Sequence, residues 1–196
     1  LWATTGRPVA KAPAVPQRIV SINLCADQLV LALADRDQIA GLTHNATDPE
    51  MSGEAAAAQG LPLLSNSAEQ ILAIEPDLIV GMPASRSAAL AALPSQSYSL
   101  LDLNTANTLE EIYASIRQTS AAVGHPERGT TLIARMESEL AGLPKLGRGR
   151  VAAYYQRRGY MTGTGTLIDE LMTRLGLVNL ADKLGKPPLS HLRLEE

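Results

Sequence analysis

Aromatic residues and cysteine are the scarce components of this sequence. Phe is absent, and aromatic residues account for only 3% of the 196 positions. The single cysteine, Cys25, excludes an internal disulfide framework and a cysteine-rich zinc site. Every apolar run is shorter than the about 20 residues that a membrane-spanning helix needs. The net charge of −3 provides no excess of basic residues for neutralising phosphates, so no nucleic-acid partner is expected.

The remaining composition is typical of a folded α/β protein. Apolar residues make up 45% of the chain and charged residues 19%. Short β-branched or apolar runs, which predict strands, alternate with segments of helical spacing. Strands are predicted at 18–22, 39–43, 78–81, 97–103 and 151–155, and helices at 26–34, 54–59, 67–74, 87–93, 108–123, 127–143 and 166–175. This alternation indicates βαβ units and a mostly parallel sheet.

An internal repeat predicts that the fold has two similar lobes. The segment Asp27-Gln-Leu-x-x-x-Leu33 follows the first predicted strand, and Asp169-Glu-Leu-x-x-x-Leu175 follows the last one. Residues 62–69 and 188–195 match each other in the same order. The predicted fold class is therefore α/β, with two Rossmann-like lobes whose sheets are mostly parallel and which one long helix joins.

The repeat also sets the expected boundaries. Residues 1–17, which contain several prolines, are predicted to form a flexible leader, and the N-terminal lobe spans 18–124. The connecting helix spans 125–144, and residues 145–196 form the start of a C-terminal lobe that is truncated, and so incomplete, in this chain. The chain begins without Met, which is typical of a processed N-terminus whose export signal has been removed.

Several longer motifs follow one another in a fixed order over residues 18–196. They are the opening segment at 18–27, Ala-Glu-Gln-Ile-Leu-Ala-Ile-Glu-Pro-Asp-Leu-Ile-Val at 68–80, the long helix at 127–143, the Gly-Thr-Gly turn within 160–171, and Gly-Leu-Val-Asn-Leu at 176–180. In this order they resemble the periplasmic substrate-binding proteins of ABC importers for vitamin B12, haem and iron–siderophores. The Glu-Pro-Asp-Leu-Ile-Val run is the most specific of these motifs.

The resemblance implies a transport function. Such a protein captures a metal chelate, namely an iron–siderophore, haem or a cobalamin, between its lobes and delivers it to an ABC permease in the inner membrane. It is a periplasmic monomer, it is not an enzyme, and it has no intrinsic cofactor, because any metal arrives within the ligand. By motif, the glutamates that dock on permease arginines correspond to Glu69, in the first turn of the helix predicted at 67–74, and to Glu195, whose helix is missing from this chain. The alternative interpretation is that both simply stabilise the helix dipole.

Ligand contacts are predicted where the strands end, because ligands of parallel α/β sheets bind outside the carboxyl ends of the strands. The candidate residues are Asn23, Leu24, Cys25, His44, Asn45, Met82, Arg86, Tyr155, Arg157, Arg158 and Tyr160. Two guanidinium groups flanked by phenols suit the carboxylate, catecholate or propionate oxygens of a chelate, although a solvated basic loop is the alternative. Cys25 offers a soft contact to a metal, or is a small buried residue. The three histidines share no metal-ligand spacing, so no metal site of the protein itself is predicted.

Two alternatives to transport stay open. In a small α/β enzyme, the Gly163-Thr-Gly165 turn would hold a phosphorylated ligand, although the sequence contains no dinucleotide fingerprint, P-loop or nucleophile elbow. In a sensor or scaffold, the same fold would act without a permease. The B12-binding members of the family line their cleft with aromatic side chains where this sequence has Asn45, Leu64 and Met82, which favours a more polar cleft.

Overall fold

The computed structural model describes residues 15–65, 67–91 and 98–191 of the chain. The strands are β1 (Ile19–Ser21), β2 (Ile39–Thr43), β3 (Leu63–Leu64), β4 (Leu78–Gly81), β5 (Ser99–Asp102), β6 (Val151–Ala152), β7 (Tyr160–Thr162), β8 (Val178–Asn179) and β9 (Leu189–His191). The helices are α1 (Leu24–Leu33), α2 (Ala55–Ala58), α3 (Ala68–Ile74), α4 (Ala88–Ala91), α5 (Leu109–Ala122), α6 (Pro126–Ala141), α7 (Leu167–Arg174) and α8 (Leu180–Lys183). Among these residues, no helix is both long and apolar enough to cross a membrane.

A five-stranded parallel sheet forms the centre of the N-terminal unit, by which we mean the elements from β1 to α5. Its strand order is β3-β2-β1-β4-β5, and every pairing is parallel. Strand β1 lies in the middle, where Ile19 is in register with Ile39 of β2 and with Leu78 of β4. The predicted α/β class with a mostly parallel sheet is therefore confirmed.

The sheet is buried on both faces because successive strand residues point to opposite sides. Ile19 and Val80 point into a cluster that contains side chains of α1, α5 and α6. Their neighbours Val20 and Ile79 point into a second cluster, which contains Ile71 of α3. All five side chains are fully buried. Strands that are apolar throughout are what a sheet covered by helices on both faces requires.

Side-chain caps fix where α1, α3, α5 and α7 begin, whereas α6 begins at Pro126 without one. Each cap oxygen accepts a hydrogen bond from a backbone N–H in the first turn, and the capping residues are Asn23, Ser67, Thr108 and Thr166 for α1, α3, α5 and α7. The cap on α1 starts this helix at Leu24, earlier than the predicted position 26. A helical turn, and not a loop, therefore follows β1.

The elements after α6, which we call the C-terminal unit, form two small sheets. Strand β6 pairs in parallel with β8, whereas β7 pairs with β9 in the antiparallel direction. The strand predicted at 151–155 is too long, because β6 ends at Ala152 and Tyr155 forms an isolated bridge with Met161. The repeat also did not predict the direction of β9: its counterpart β3 is parallel to β2.

Helix α6 is anchored to the N-terminal unit at its start. Arg128 donates to the carbonyl of Leu33 at the end of α1, at 3.1 Å, and to Oδ1 of Asp35 at 2.5 Å. The Arg128 guanidinium holds the pKa of Asp35 below its ordinary value. Gly129 lies so close to α5 that a Cβ at this position would be 2.2 Å from Oγ and 2.8 Å from Cβ of Ser120. Close approach of the two helices therefore requires glycine here.

Gly129→Ala is expected to lower the free energy of unfolding by about 1–3 kcal/mol, because the added methyl group collides with Ser120. The matched control is Gly142→Ala at the end of α6, where the nearest atom to a new Cβ lies 3.5 Å away. This control should leave stability unchanged or raise it by up to about 1 kcal/mol, since alanine restricts the unfolded chain. Urea denaturation followed by circular dichroism measures both, and equal effects of the two substitutions would contradict the close packing.

Candidate ligand-binding site

The carboxyl ends of three adjacent strands bring the first set of predicted residues to one edge of the parallel sheet. Asn23 follows β1, His44 follows β2, and Met82 follows β4. In the sheet, β1 lies between β2 and β4. The chain thus places these residues along a common edge, where they stay candidate ligand contacts.

The residues that follow β1 differ in exposure. Asn23 is half-buried, and its Oδ1 accepts the N–H of Ala26 at 3.0 Å, so this oxygen is occupied by the helix cap. Leu24 is half-buried in the first turn of α1, and Cys25 beside it is exposed. The alternative interpretation of Cys25 as a small buried residue is therefore wrong.

A buried carboxylate supports the residues that follow β2. His44 is exposed and Asn45 is half-buried in a 3₁₀ turn at 44–47. Behind them, the fully buried Asp27 accepts the N–H of Thr43 at 3.2 Å and also the Thr43 hydroxyl. Burial raises the pKa of Asp27 above its ordinary value, while hydrogen bonds to its charged form and the nearby His44 oppose the rise. In the sequence, Asp27 is marked only by the repeat and by the opening motif at 18–27, neither of which predicts this contact with Thr43.

The two predicted ligand residues after β4 differ, because Met82 packs against the core and Arg86 is exposed. Met82 is half-buried against the core cluster and joins Pro83 through a cis peptide bond. Asp102, at the end of β5, accepts the N–H of Ala84 at 2.6 Å and thereby fixes the 3₁₀ turn at 84–86. Arg86 ends that turn and is exposed. Of the two predicted residues, Arg86 is therefore exposed to solvent and Met82 is packed.

The second set of predicted residues lies on a tight antiparallel hairpin in the C-terminal unit. The N–H of Gln156 donates to the carbonyl of Tyr160 at 2.6 Å, and the N–H of Thr162 donates to the carbonyl of Tyr154 at 3.1 Å. A 3₁₀ turn at 157–159 closes the hairpin. Four exposed residues, Tyr155, Arg157, Arg158 and Tyr160, thus lie on this one hairpin, and we call them the hairpin cluster.

His191 belongs to this cluster, although sequence analysis did not include it among the ligand residues. Because β9 pairs with β7, His191 lies opposite Tyr160. The two rings meet edge to face, with centroids 5.6 Å apart and planes at 82°. The only sequence signal for this residue was the repeat, in which 188–195 matches the segment that contains β3.

The hairpin cluster combines two guanidinium groups with phenols and an imidazole. Guanidinium groups donate paired hydrogen bonds to carboxylate, catecholate or propionate oxygens. Phenol and imidazole groups are also ligand types that ferric iron accepts. Within the described ranges, no three His, Cys, Asp or Glu side chains come close enough together to hold a metal ion. A metal carried inside the ligand thus stays the prediction.

The Gly163-Thr-Gly165 turn is already occupied by internal hydrogen bonds. The N–H of Gly163 donates to the carbonyl of Pro188 at 2.9 Å, and a Cβ on Gly163 would lie 1.9 Å from the carbonyl oxygen of Pro187. The N–H of Gly165 donates to Oδ2 of Asp169 at 3.3 Å. A carboxylate therefore stands where a phosphate would have to bind, and it would repel that phosphate. This geometry disfavours the alternative of an enzyme that uses this turn for a phosphorylated ligand.

A hydrogen bond joins the two units directly, in addition to their connection through α6. Oε2 of Glu170 in α7 accepts the N–H of Leu109, the first residue of α5, at 3.0 Å. Oε1 of the same carboxylate accepts a hydrogen bond from Arg174 at 3.0 Å. The Leu109 N–H and the Arg174 guanidinium hold the pKa of Glu170 below its ordinary value. Leu167 of α7 packs against the core cluster of the N-terminal unit beside this contact.

Two cavities of the described structure lie away from the predicted ligand residues. A cavity of about 450 Å³ lies between α1 and α6 and is lined by Leu31, Arg128 and Arg135 among others. Another, of about 520 Å³, lies beside β5 and is lined by Leu100 and Leu101 among others. The predicted ligand residues instead occupy a sheet edge, where they are half-buried or exposed, and a hairpin, where they are exposed.

The structure describes one of the two predicted docking glutamates. Glu69 is exposed in the first turn of α3, which Ser67 caps by accepting the N–H of Gln70 at 3.2 Å. Gln70 in turn accepts from the N–H and hydroxyl of Ser65. Glu195 lies outside the described residues.

Comparison with known proteins places these features in a family. Residues 19–193 match the family described as periplasmic binding protein. An uncharacterised ABC transporter substrate-binding lipoprotein of Bacillus subtilis is 23% identical over 180 residues, which cover 85% of this chain and 56% of that protein. A vitamin B12-binding protein of Pectobacterium carotovorum is 29% identical over 156 residues, which cover 78% of this chain and 54% of its own. The periplasmic heme-binding protein RhuT of Roseiflexus sp. RS-1 is similar in structure, with a TM-score of 0.65 and 26% identity. The similarity covers 91% of this chain and 71% of that protein.

The chain therefore belongs to the periplasmic binding protein family, which confirms the resemblance found in its motifs. Members of this family are substrate-binding proteins of transport systems. The chain spans about half the length of the curated relatives that it matches.

The Glu170 contact predicts a pH-dependent contribution to stability. Because its pKa is lowered in the folded state, the contribution is fully present above the pKa of the unfolded chain and is lost as the pH falls through the folded value. Glu170→Gln is expected to lower the free energy of unfolding by about 1 kcal/mol at neutral pH. The difference should vanish at an acidic pH that lies below the lowered folded pKa of Glu170, where both side chains are uncharged.

Urea denaturation at the two pH values measures this difference. Glu139→Gln is the matched control, because Glu139 is exposed on α6 and faces Arg135 at 3.8 Å. The control should change stability little at either pH. A Glu170→Gln effect that is the same at both pH values would contradict the charged contact between the units.

Proposed function

We propose that this chain is the ligand-capturing part of an extracytoplasmic solute-binding protein of an ABC importer. It binds a metal chelate, namely an iron–siderophore, haem or a cobalamin, and delivers it to a membrane permease. The observation that carries this proposal is the family match over residues 19–193. The lipoprotein relative is named as an ABC transporter component, and the other two similar proteins are named for vitamin B12 and heme.

The ligand is held between two lobes in this proposal. The N-terminal lobe comprises residues 18–124, the connecting helix 125–144, and the C-terminal lobe begins at 145. The support is that the sheet-edge residues and the hairpin cluster belong to different units on either side of α6. One wall then offers His44, Asn45 and Arg86, and the other offers the hairpin.

The hairpin side chains favour a chelate with anionic oxygens. Arg157 and Arg158 would pair with catecholate, carboxylate or propionate groups, and Tyr160 with His191 would approach the metal or its immediate donors. The sheet edge has Asn45 and Met82 where B12-binding members have aromatic side chains, so an iron–siderophore or haem suits this chain better than a cobalamin. The protein itself needs no cofactor, since the metal belongs to the ligand.

The chain binds its ligand without converting it. The support is the occupied Gly163–Gly165 turn, whose amides are bonded to Pro188 and Asp169. Glu69 and, by motif, Glu195 dock on arginines of the permease in the inner membrane, and the protein acts as a periplasmic monomer. A sensor or scaffold with the same fold would bind the chelate but would not associate with a permease.

Absorbance titration tests the ligand class, with hemin, cyanocobalamin and a ferric tris-catecholate as probes. At least one probe should bind saturably in a 1:1 ratio and be recovered unchanged after release. The joint substitution Arg157→Ala and Arg158→Ala should weaken binding of hemin or the tris-catecholate by about tenfold or more, which corresponds to about 1.4 kcal/mol.

Arg135→Ala is the matched control for the hairpin arginines, because Arg135 is an exposed arginine on α6. It should leave the affinity unchanged. Conversion of a probe, or binding of none of the three, would contradict the proposed function. Equal affinities for the double variant and the control would remove the hairpin from the ligand site.

Glu69→Ala is expected to leave probe binding intact while reducing uptake into cells, because an exposed carboxylate of α3 would lose its arginine partners on the permease. The experiment compares radiolabelled iron uptake in cells that express the full-length protein with Glu69→Ala and in cells that express it with a control substitution. Glu137→Ala, which removes an exposed glutamate from α6, is the control and should transport normally. Normal uptake by the Glu69→Ala protein would argue against docking through this residue.

A further inference from the structure

Each unit contains an aspartate at the same place in the repeat, in the first turn of a helix. Asp27 in α1 accepts the N–H and hydroxyl of Thr43, the last residue of β2. Asp169 in α7 accepts the side-chain amide of Asn179, the last residue of β8, with 2.9 Å between Nδ2 and Oδ1. In both units, a helix carboxylate thus reaches the end of the strand that follows the helix.

The two strand ends are also equivalent in what comes next. Thr43 is the N-cap residue of the 3₁₀ turn at 44–47, and Asn179 is the N-cap residue of α8. The Asn179 amide group is held by Asp169, and this orientation leaves its Oδ1 to accept the N–H of Ala181 at 3.1 Å. The aspartates therefore control how the chain turns out of the parallel strands.

A buried carboxylate is an unfavourable way to fill space in a core. Asp27 is fully buried, and burial disfavours its charged form. An apolar side chain of similar volume would avoid this cost, but it would leave the N–H of Thr43 without its acceptor. The carboxylate has two oxygens, which accept both donors of Thr43 in fixed directions. Its presence is explained by the turn that it holds and not by the stability of the core.

We propose that Asp27 is a positioning residue of the ligand site, and that Asp169 is its counterpart in the C-terminal unit. Asp27 fixes the turn after β2, so that His44 and Asn45 are preformed before a ligand arrives. Preformed contacts bind more tightly, because no ordering cost is paid on binding. This role in ligand binding rests on the proposed function, whereas the ordering of the turn can be measured without a ligand.

Amide hydrogen exchange followed by NMR on the whole chain tests the proposal. In Asp27→Leu, exchange should become about tenfold faster or more at Thr43 and at Asp48, whose N–H closes the turn on the carbonyl of Asn45. Leu103, whose N–H donates to the carbonyl of Gly81, should exchange as in the unmodified protein.

Asp169→Leu provides the crossed control. It should accelerate exchange at Ala181 and Leu184, the two amides held at the start and end of α8, and leave Thr43 and Asp48 unchanged. Asp27→Asn retains one acceptor oxygen and should keep exchange at Thr43 within about threefold of the unmodified protein. An increase spread evenly over the sheet, or no increase at the turn, would overturn the positioning role.

A substitution at Thr43 tests the proposal if the Asp27→Leu protein does not fold. Thr43→Val keeps the N–H but removes the hydroxyl donor, so it should accelerate exchange at Asp48 by about threefold. Unchanged exchange at Asp48 in this variant would count against the proposal.

Hemin titration then connects the turn to the ligand. Asp27→Leu should bind hemin about tenfold more weakly, and Asp27→Asn should bind it nearly as well as the unmodified protein. Failure of the unmodified protein to bind any of the three probes would argue against the proposed function, and the exchange comparison would still decide whether Asp27 orders the turn.

Discussion

The arrangement of the N-terminal unit depends on the parallel pairing of β1 with β2 on one side and β4 on the other. Parallel strands need a crossover after each strand, and the helices in these crossovers cover both faces of the sheet. Ile19 and Val20 then enter separate apolar clusters although they are adjacent in the chain. Because all strands run in the same direction, the turns that leave them lie along one edge. Polar and reactive side chains are tolerated there, where no helix covers the sheet.

The parts of the fold that sequence could predict are those that local chemistry determines. Apolar runs marked β2 and β4, and the hydroxyl of Ser67 marked the start of α3. The sequence predicts the start of α1 two residues too late, because Asn23 directly follows the predicted strand at 18–22 and a residue in that position is as typical of a turn as of a helix cap. Short pairs such as β6 with β8 have only two residues each, too few for alternation to be detected.

The parts of the candidate site that sequence missed depend on contacts between distant segments. His191 joins Tyr160 only because β9 returns antiparallel to β7, and no spacing in the sequence encodes that pairing. Asp27 is sixteen positions from Thr43, so its partner becomes visible only when β2 is placed beside β1. The repeat did identify Asp27 and Asp169 as equivalent, but a sequence repeat does not reveal from which donor each carboxylate accepts a hydrogen bond. Tertiary pairing therefore completes a site whose residue types were already recognisable.

Two contacts of different physical kinds bear on how a cleft between the units would move: one holds α6 to the N-terminal unit, and the other joins the two units directly. The approach of α6 to α5 at Gly129 is steric and involves no titratable group, so a change of pH does not act on it directly. The bond from Leu109 to Glu170 contributes about 1 kcal/mol, because Glu170 is partly exposed to water. A ligand bound with micromolar affinity gains about 8 kcal/mol, far more than breaking this bond would cost. The bond thus favours one relative position of the units without preventing small adjustments, whereas larger rearrangements would have to separate α6 from α5 and are opposed by close packing.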